Sequence, residues 1–271
     1  MSERDRARSV LYGLALGDSL SWSVRHLPRG GDRDSGGRLV VQEPSDPARV
    51  TTETWSTVSV TEALVEADDA NLGELAEVVR RQFAPRGGSV ASIAPVGYLY
   101  QHDPDRLREV AYAVGSAAHI RPAAAIGTAY LIKLALDGAS PDQYIRETLA
   151  FTNSISDEFD DAMLRIGHAI GWTDEQAAIA HIGVGRTEDA AVAMAAYCAI
   201  RHSDDYVRAV CLGAYTPSHS DPVGSLAGGL VAARLGPGAI PREWVARLEV
   251  AGRLTDLADR LAARKMHLYS K

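Results

Sequence analysis

The sequence is short of cysteine, of aromatic residues, of alternating β-branched runs and of net positive charge. Cys198 and Cys211 are the two cysteines in 271 residues. Both sit in apolar helical patterns (AMAAYCAI and VRAVCLGA) and read as buried free thiols, not as a disulfide framework. Lys and Arg total 28 against 35 Asp and Glu, a formal net charge of −7. Binding along a phosphate backbone needs clustered basic side chains. No basic run and no RNA-binding aromatic motif occurs, so nucleic acid is excluded as an expected partner. No stretch reaches about twenty uninterrupted apolar residues, and the opening MSERDRARSVLYG lacks the apolar centre of a signal peptide. The expectation is a cytoplasmic protein without a membrane partner. Several catalytic signatures are also missing: there is no G-x-S-x-G elbow and no H-E-x-x-H zinc motif. GVGRTED at 183–189 has glycines but no preceding strand, so it is not a phosphate loop.

Helical periodicity is abundant by contrast. RARSVLYGLALGDSL puts Val10, Leu11, Leu14 and Leu16 on overlapping faces, and WSTVSVTEALVEA, LGELAEVVRRQFA, AAAIGTAYLIKLALDG and EDAAVAMAAYCAI behave alike. Starts carry caps such as Ser140-Pro141-Asp142, and stops carry glycine, as at Gly138. RLVVQ at 38–42 is the one weak strand candidate. The pattern predicts an all-α fold of a dozen or so helices in a single domain over 1–271. Alanine-rich stretches at 123–135, 189–200 and 224–233 let helix axes approach closely, which suits a compact orthogonal bundle better than a coiled coil. Leu254, Leu257 and Leu261 suit a core contact. The long Gly-, Pro- and charge-rich segment at 23–50 reads as a functional or disordered loop.

The most chemically suggestive stretch is TPSHSDPVGSLAGGL at 216–230, where His219 and Asp221 precede a helix of small residues. Asp221 before Pro222 makes a good helix start by itself. Thr52 or Thr54 can likewise cap a helix beginning near Trp55, with Glu53 favoured at its N-terminal end. The acidic run SDEFDDAM at 156–163 reads as a solvated helix start.

Three separated stretches resemble one family, the ADP-ribosylglycohydrolases (DraG-like, all-α magnesium hydrolases). GLALGDSLSW at 13–22 is similar to the family's G-x-x-x-G-D-x-x-G helix. APVGYLY at 94–100 and AAHIRP at 117–122 are similar to its A-P-x-G and T-H-x-x-P elements. SHSDPVGSLAGGLVAARLGPGAIPREW at 218–244 resembles its G-G-D-T-D-T signature and the Ile-Pro-x-x-Trp that follows. The resemblance implies an all-α helical bundle. It also implies a cleft at which Asp18 holds the scaffold together and Gly97, Tyr98 and His119 lie near ligand.

It further implies two magnesium ions held by a T-D-D-T and a D-T-D-T run, since hard divalent cations want several oxygen ligands. This chain departs from both runs. TTET at 51–54 places Thr52 and Glu53 where the family has two Asp. HSDP at 219–222 keeps Asp221 alone, with His219 in place of an Asp and Pro222 without a hydroxyl. Arg25 stands where the family often carries a Glu.

The substituted side chains can all donate, accept or carry charge, and a histidine beside carboxylates suits proton transfer near neutral pH. The leading expectation is a repurposed, metal-independent acid/base enzyme acting on a small carbonyl-type substrate. Dehydration, addition, isomerisation or cyclisation would suit it, as lyase or cyclase chemistry in specialised-metabolite biosynthesis. His219, Asp221 and Glu53 would be catalytic. Arg25 would hold an anionic group by paired hydrogen bonds, with Thr52, Trp55, Gly97, Tyr98 and His119 lining the substrate. No cofactor is expected, a single magnesium ion on Glu53 and Asp221 being the alternative. Two other readings stay open: a magnesium-dependent ADP-ribosylglycohydrolase, and a non-catalytic module binding ADP-ribose or a related ligand. Oligomeric state is not legible.

Overall fold

A computed structural model of the chain describes residues 1–27, 34, 39–67, 71–83, 88–183, 187–217 and 220–270. These residues form fourteen α-helices: α1 Glu3–Val24, α2 Thr52–Glu66, α3 Leu72–Phe83, α4 Ala94–Leu99, α5 Pro104–Ala117, α6 Pro122–Leu136, α7 Gln143–Thr152, α8 Asp157–Ala169, α9 Glu175–Ile182, α10 Glu188–Arg201, α11 Tyr206–Ala214, α12 Ser220–Leu235, α13 Arg242–Arg247 and α14 Ala251–Leu268. Short 3₁₀ turns occupy Val90–Ile93 and Pro237–Ala239. Among the described residues there is no strand. The weak candidate at 38–42 forms none over its described part, and Ala48 makes an isolated parallel bridge to Leu248. None of the described helices is long and apolar enough to cross a membrane.

Local chemistry sets where the helices begin and end. Ser2 and Asp5 close a reciprocal capping box at the start of α1, which satisfies donors that a helix N-terminus otherwise leaves open. Gly138 follows α6 at φ +71°, the left-handed conformation that ends a helix without a Cβ clash. The acidic run at 156–163 is a helix start, as its sequence suggests: Ser156 caps α8, and Asp157, Glu158 and Asp160 fill its first turn. Acidic groups there complement the helix dipole.

α1 is the axis of the molecule. It packs most extensively on α12, with α11 and α14 against its flanks. The α1–α12 crossing is close because glycines face each other. A Cβ built on Gly13 would lie 2.5 Å from the Gly228 carbonyl oxygen, and one on Gly17 would meet the Gly224 backbone. The hydroxyl of Ser225 donates across the same seam to the Leu14 carbonyl at 3.0 Å. One contiguous apolar cluster runs from Ala7 to Ala262 and includes Leu254, Leu257 and Leu261. Both thiols are free and buried, and burial pushes Cys211 up to about 11, so neither is a reactive thiolate.

Candidate functional site

The α1–α12 seam delivers a carboxylate to the start of α2. Asp18 lies in the fully buried part of α1. Its Oδ2 accepts from the Thr51 and Thr54 amides, at 2.8 and 3.2 Å, and from the Thr54 hydroxyl at 2.6 Å. Its Oδ1 accepts from the Thr51 hydroxyl at 2.6 Å. A buried carboxylate with its lone pairs so occupied satisfies the open amides of another helix. The scaffold role that the family resemblance implies for Asp18 has this physical basis. The cap of α2 is Thr51, whose hydroxyl accepts from the Glu53 amide. Capping by Thr52 or Thr54 is therefore corrected: Thr52 begins the helix with its side chain exposed, and Thr54 is drawn inward by Asp18.

Glu53, in the first turn of α2, sits beside this knot. The Ser89 hydroxyl donates to its Oε2, while Ser89 also caps the Val90–Ile93 turn by accepting from the Ala91 amide. Gly88 in turn donates to the Ala118 carbonyl at 2.7 Å, so residues 88–89 link Glu53 to the α5–α6 turn. Asp221 enters from the first turn of α12. That helix begins at Ser220, so Asp221 lies inside its first turn and not at the cap.

The charges of Asp18 and Asp221 are both felt at Glu53, and that of Asp221 at Asp18. Burial raises Glu53 up to about 7, the Ser89 hydrogen bond opposes the rise, and the charges of Asp18 and Asp221 add to it. Burial also raises Asp18, against its threonine hydrogen bonds and together with repulsion from Asp221. Among the described residues, no cationic side chain counters these charges at Glu53. A carboxyl in that setting is partly protonated at neutral pH and is equipped both to give and to take a proton.

The remaining candidates are placed differently. His219 lies outside the described residues. Arg25 is the C-terminal cap of α1, exposed, with its guanidinium 3.0 Å from the centre of the Trp22 ring. Seven residues separate it from Asp18, roughly 10 Å along a helix. Trp55 is 42% exposed and is covered by the Arg253 guanidinium of α14 at 5.2 Å, on the outer side of α2. Gly97 serves helix packing, since a Cβ there would meet the Ala129 backbone of α6.

Tyr98 is fully buried and donates to the Glu3 carbonyl and carboxylate at 3.0 and 3.1 Å. Glu3 and Asp18 are fifteen residues apart on α1, roughly 22 Å at helical rise, so Tyr98 serves the opposite end of the molecule. His119 is exposed in the α5–α6 turn at φ +60°, next to the Ala118 carbonyl that binds Gly88. Thr51 and Ser89 complete the knot without having been singled out from sequence. Both carry the helix-start signature of a hydroxyl just before a helical run, which does not by itself reveal a distant carboxylate partner.

Asp18 spends both oxygens on four hydrogen bonds, Thr52 offers no carboxylate, and among the described residues no group of three or more His, Cys, Asp or Glu is placed to hold a metal ion. A cleft of about 370 Å³ lies elsewhere, against Arg121, Pro122, Ser154, Ser156, Asp157 and Glu158.

No curated protein matches the chain. Among solved structures, a chain described as an "ADP-ribosylglycohydrolase-related protein complex" superposes with a TM-score of 0.74 at 20% sequence identity. The match covers 98% of this chain and 99% of that one, and at this identity it speaks for the fold. The family model for ADP-ribosylglycohydrolase matches residues 1–270. The chain, all-α and with its α1–α2–α12 knot in place, belongs to the ADP-ribosylglycohydrolase family.

Proposed function

We propose that this family member is a metal-independent acid/base enzyme whose centre is the meeting point of α1, α2 and α12. Glu53 and Asp221 transfer protons there, and Asp18 holds the frame. The observation that supports this reading best is Glu53, tethered by Ser89 beside the Asp18–threonine knot and subject to the charges of both Asp18 and Asp221. Such a group exchanges a proton with a carbon or oxygen acid without a Lewis acid, and its value near 7 matches the working pH of a general acid or base. His219 stands two residues before Asp221 in sequence and would be the second proton carrier. The substrate class is a small carbonyl compound undergoing dehydration, addition, isomerisation or cyclisation, as in the tailoring of a specialised metabolite.

The test is turnover of a panel of β-hydroxy and α,β-unsaturated carbonyl compounds by the purified full chain in EDTA. Activity should survive the chelator and be lost in Glu53→Gln, Asp221→Asn and His219→Ala. Magnesium-dependent release of ADP-ribose from ADP-ribosyl-arginine, with no turnover of the panel, would overturn the proposal in favour of the hydrolase reading that family membership supports.

A further inference from the structure

Far along the chain from the carboxylate knot, three aromatic side chains meet where α8 and α9 end. His168 lies in the last turn of α8 and His181 in the last turn of α9. Their ring centres are 6.0 Å apart and inclined at 49°. Trp172, in the link between the two helices, lies 5.0 Å from the His181 ring. Both histidines are exposed, and Trp172 is 39% exposed. The last turn of each helix carries open carbonyls and partial negative charge, which favours a cation beside both rings.

We propose that His168 and His181 form a surface two-imidazole site for a borderline divalent transition ion: copper(II), nickel(II) or zinc(II). Imidazole nitrogen suits these ions, whereas magnesium prefers oxygen, so the site is chemically distinct from anything the carboxylates would take. With metal–nitrogen bonds of about 2 Å, two imidazoles on one ion place their ring centres about 5 Å apart. The observed 6.0 Å separation lies within about 1 Å of that spacing, and both side chains are exposed. No third His, Cys, Asp or Glu joins the pair among the described residues, so water completes the coordination and the ion exchanges readily.

Trp172 supplies the readout, because bound copper(II) quenches an adjacent indole. The full-length chain is titrated with copper(II) chloride while tryptophan fluorescence is followed, and with nickel(II) chloride by calorimetry. A saturable quench is expected that Trp172→Phe abolishes, that His168→Ala and His181→Ala each weaken, and that the double variant loses together with the nickel heat. A large excess of magnesium should leave it unchanged. Each substitution is at an exposed position, and circular dichroism verifies the fold. Absence of a saturable quench, its persistence in the double variant or in Trp172→Phe, or its displacement by magnesium would each overturn the site.

Discussion

Asp18 shows how a single side chain can be indispensable in one atom and replaceable in another. Its Oδ2 accepts both α2 amides, while its Oδ1 meets a hydroxyl that can donate or accept. Asp18→Asn can keep its oxygen on the amides and turn its NH₂ to Thr51, so its loss of stability should be small. Asp18→Ala strands buried donors and should cost roughly 3 kcal/mol or more. Urea unfolding of the two variants measures the difference. Glu53 makes a prediction of pH dependence. Its native value near 7 exceeds the ordinary 4.5, so between those values the folded state binds more protons than the unfolded state. Stability therefore falls as pH rises from about 4.5 to about 7, and the loss is complete above that. Glu53→Gln can keep an oxygen for Ser89 and cannot ionise. Its melting temperature should exceed the parent's by more at pH 8 than at pH 5, the gain reaching at most about 3 kcal/mol. Equal shifts at both pH values would place Glu53 in an ordinary solvated setting.

At the level of elements, the molecule turns on how closely α1 and α12 approach. Gly13 and Gly17 face Gly228 and Gly224 with no room for a Cβ, and Asp18 follows Gly17 directly. Gly17→Ala should push the helices apart and destabilise the protein by about 1–3 kcal/mol. Because Asp18 and Asp221 lie on these two helices, the same substitution should disturb the site as well as the fold. Gly167 in α8 has nothing within 4 Å of a Cβ position. Gly167→Ala should therefore stabilise by up to about 1 kcal/mol through helix propensity alone. Thermal melts of the two variants should move in opposite directions. Both glycines sit in helical runs and look alike in sequence, and only the neighbour across the seam separates them.

Across the whole molecule, the two ends of the described chain are joined by a buried lysine. Lys265 of α14 is 2% exposed and donates to Gln101 at 2.6 Å, with its Nζ 2.9 Å from Glu3 of α1. The Tyr98 ring lies 4.3 Å beneath the same ammonium. Burial lowers Lys265, against the stabilising pull of Glu3. Lys265→Ala should cost roughly 2 kcal/mol, less than a fully buried pair because Glu3 retains solvent contact. Combined with Glu3→Gln, it should cost less than the two single losses added together. A double-mutant cycle by denaturant unfolding checks this.

The helical class and the family were legible in the linear sequence. Periodicity and small-residue content are local properties, and the GDS, APVG, HIRP and GGL stretches carry the resemblance in order. Sequence also brought Glu53 and Asp221 forward as candidate site residues and Asp18 as a scaffold residue. What it could not decide was which polar side chains share a space. Tyr98 and Gly97 follow a family motif yet serve the packing of α4 against α1, α6 and α14. Ser89 carries no titratable group and still holds the central glutamate. Those outcomes depend on where helices distant in sequence cross. A crossing is set by the fit of two surfaces at once, a quantity that no single stretch of sequence contains.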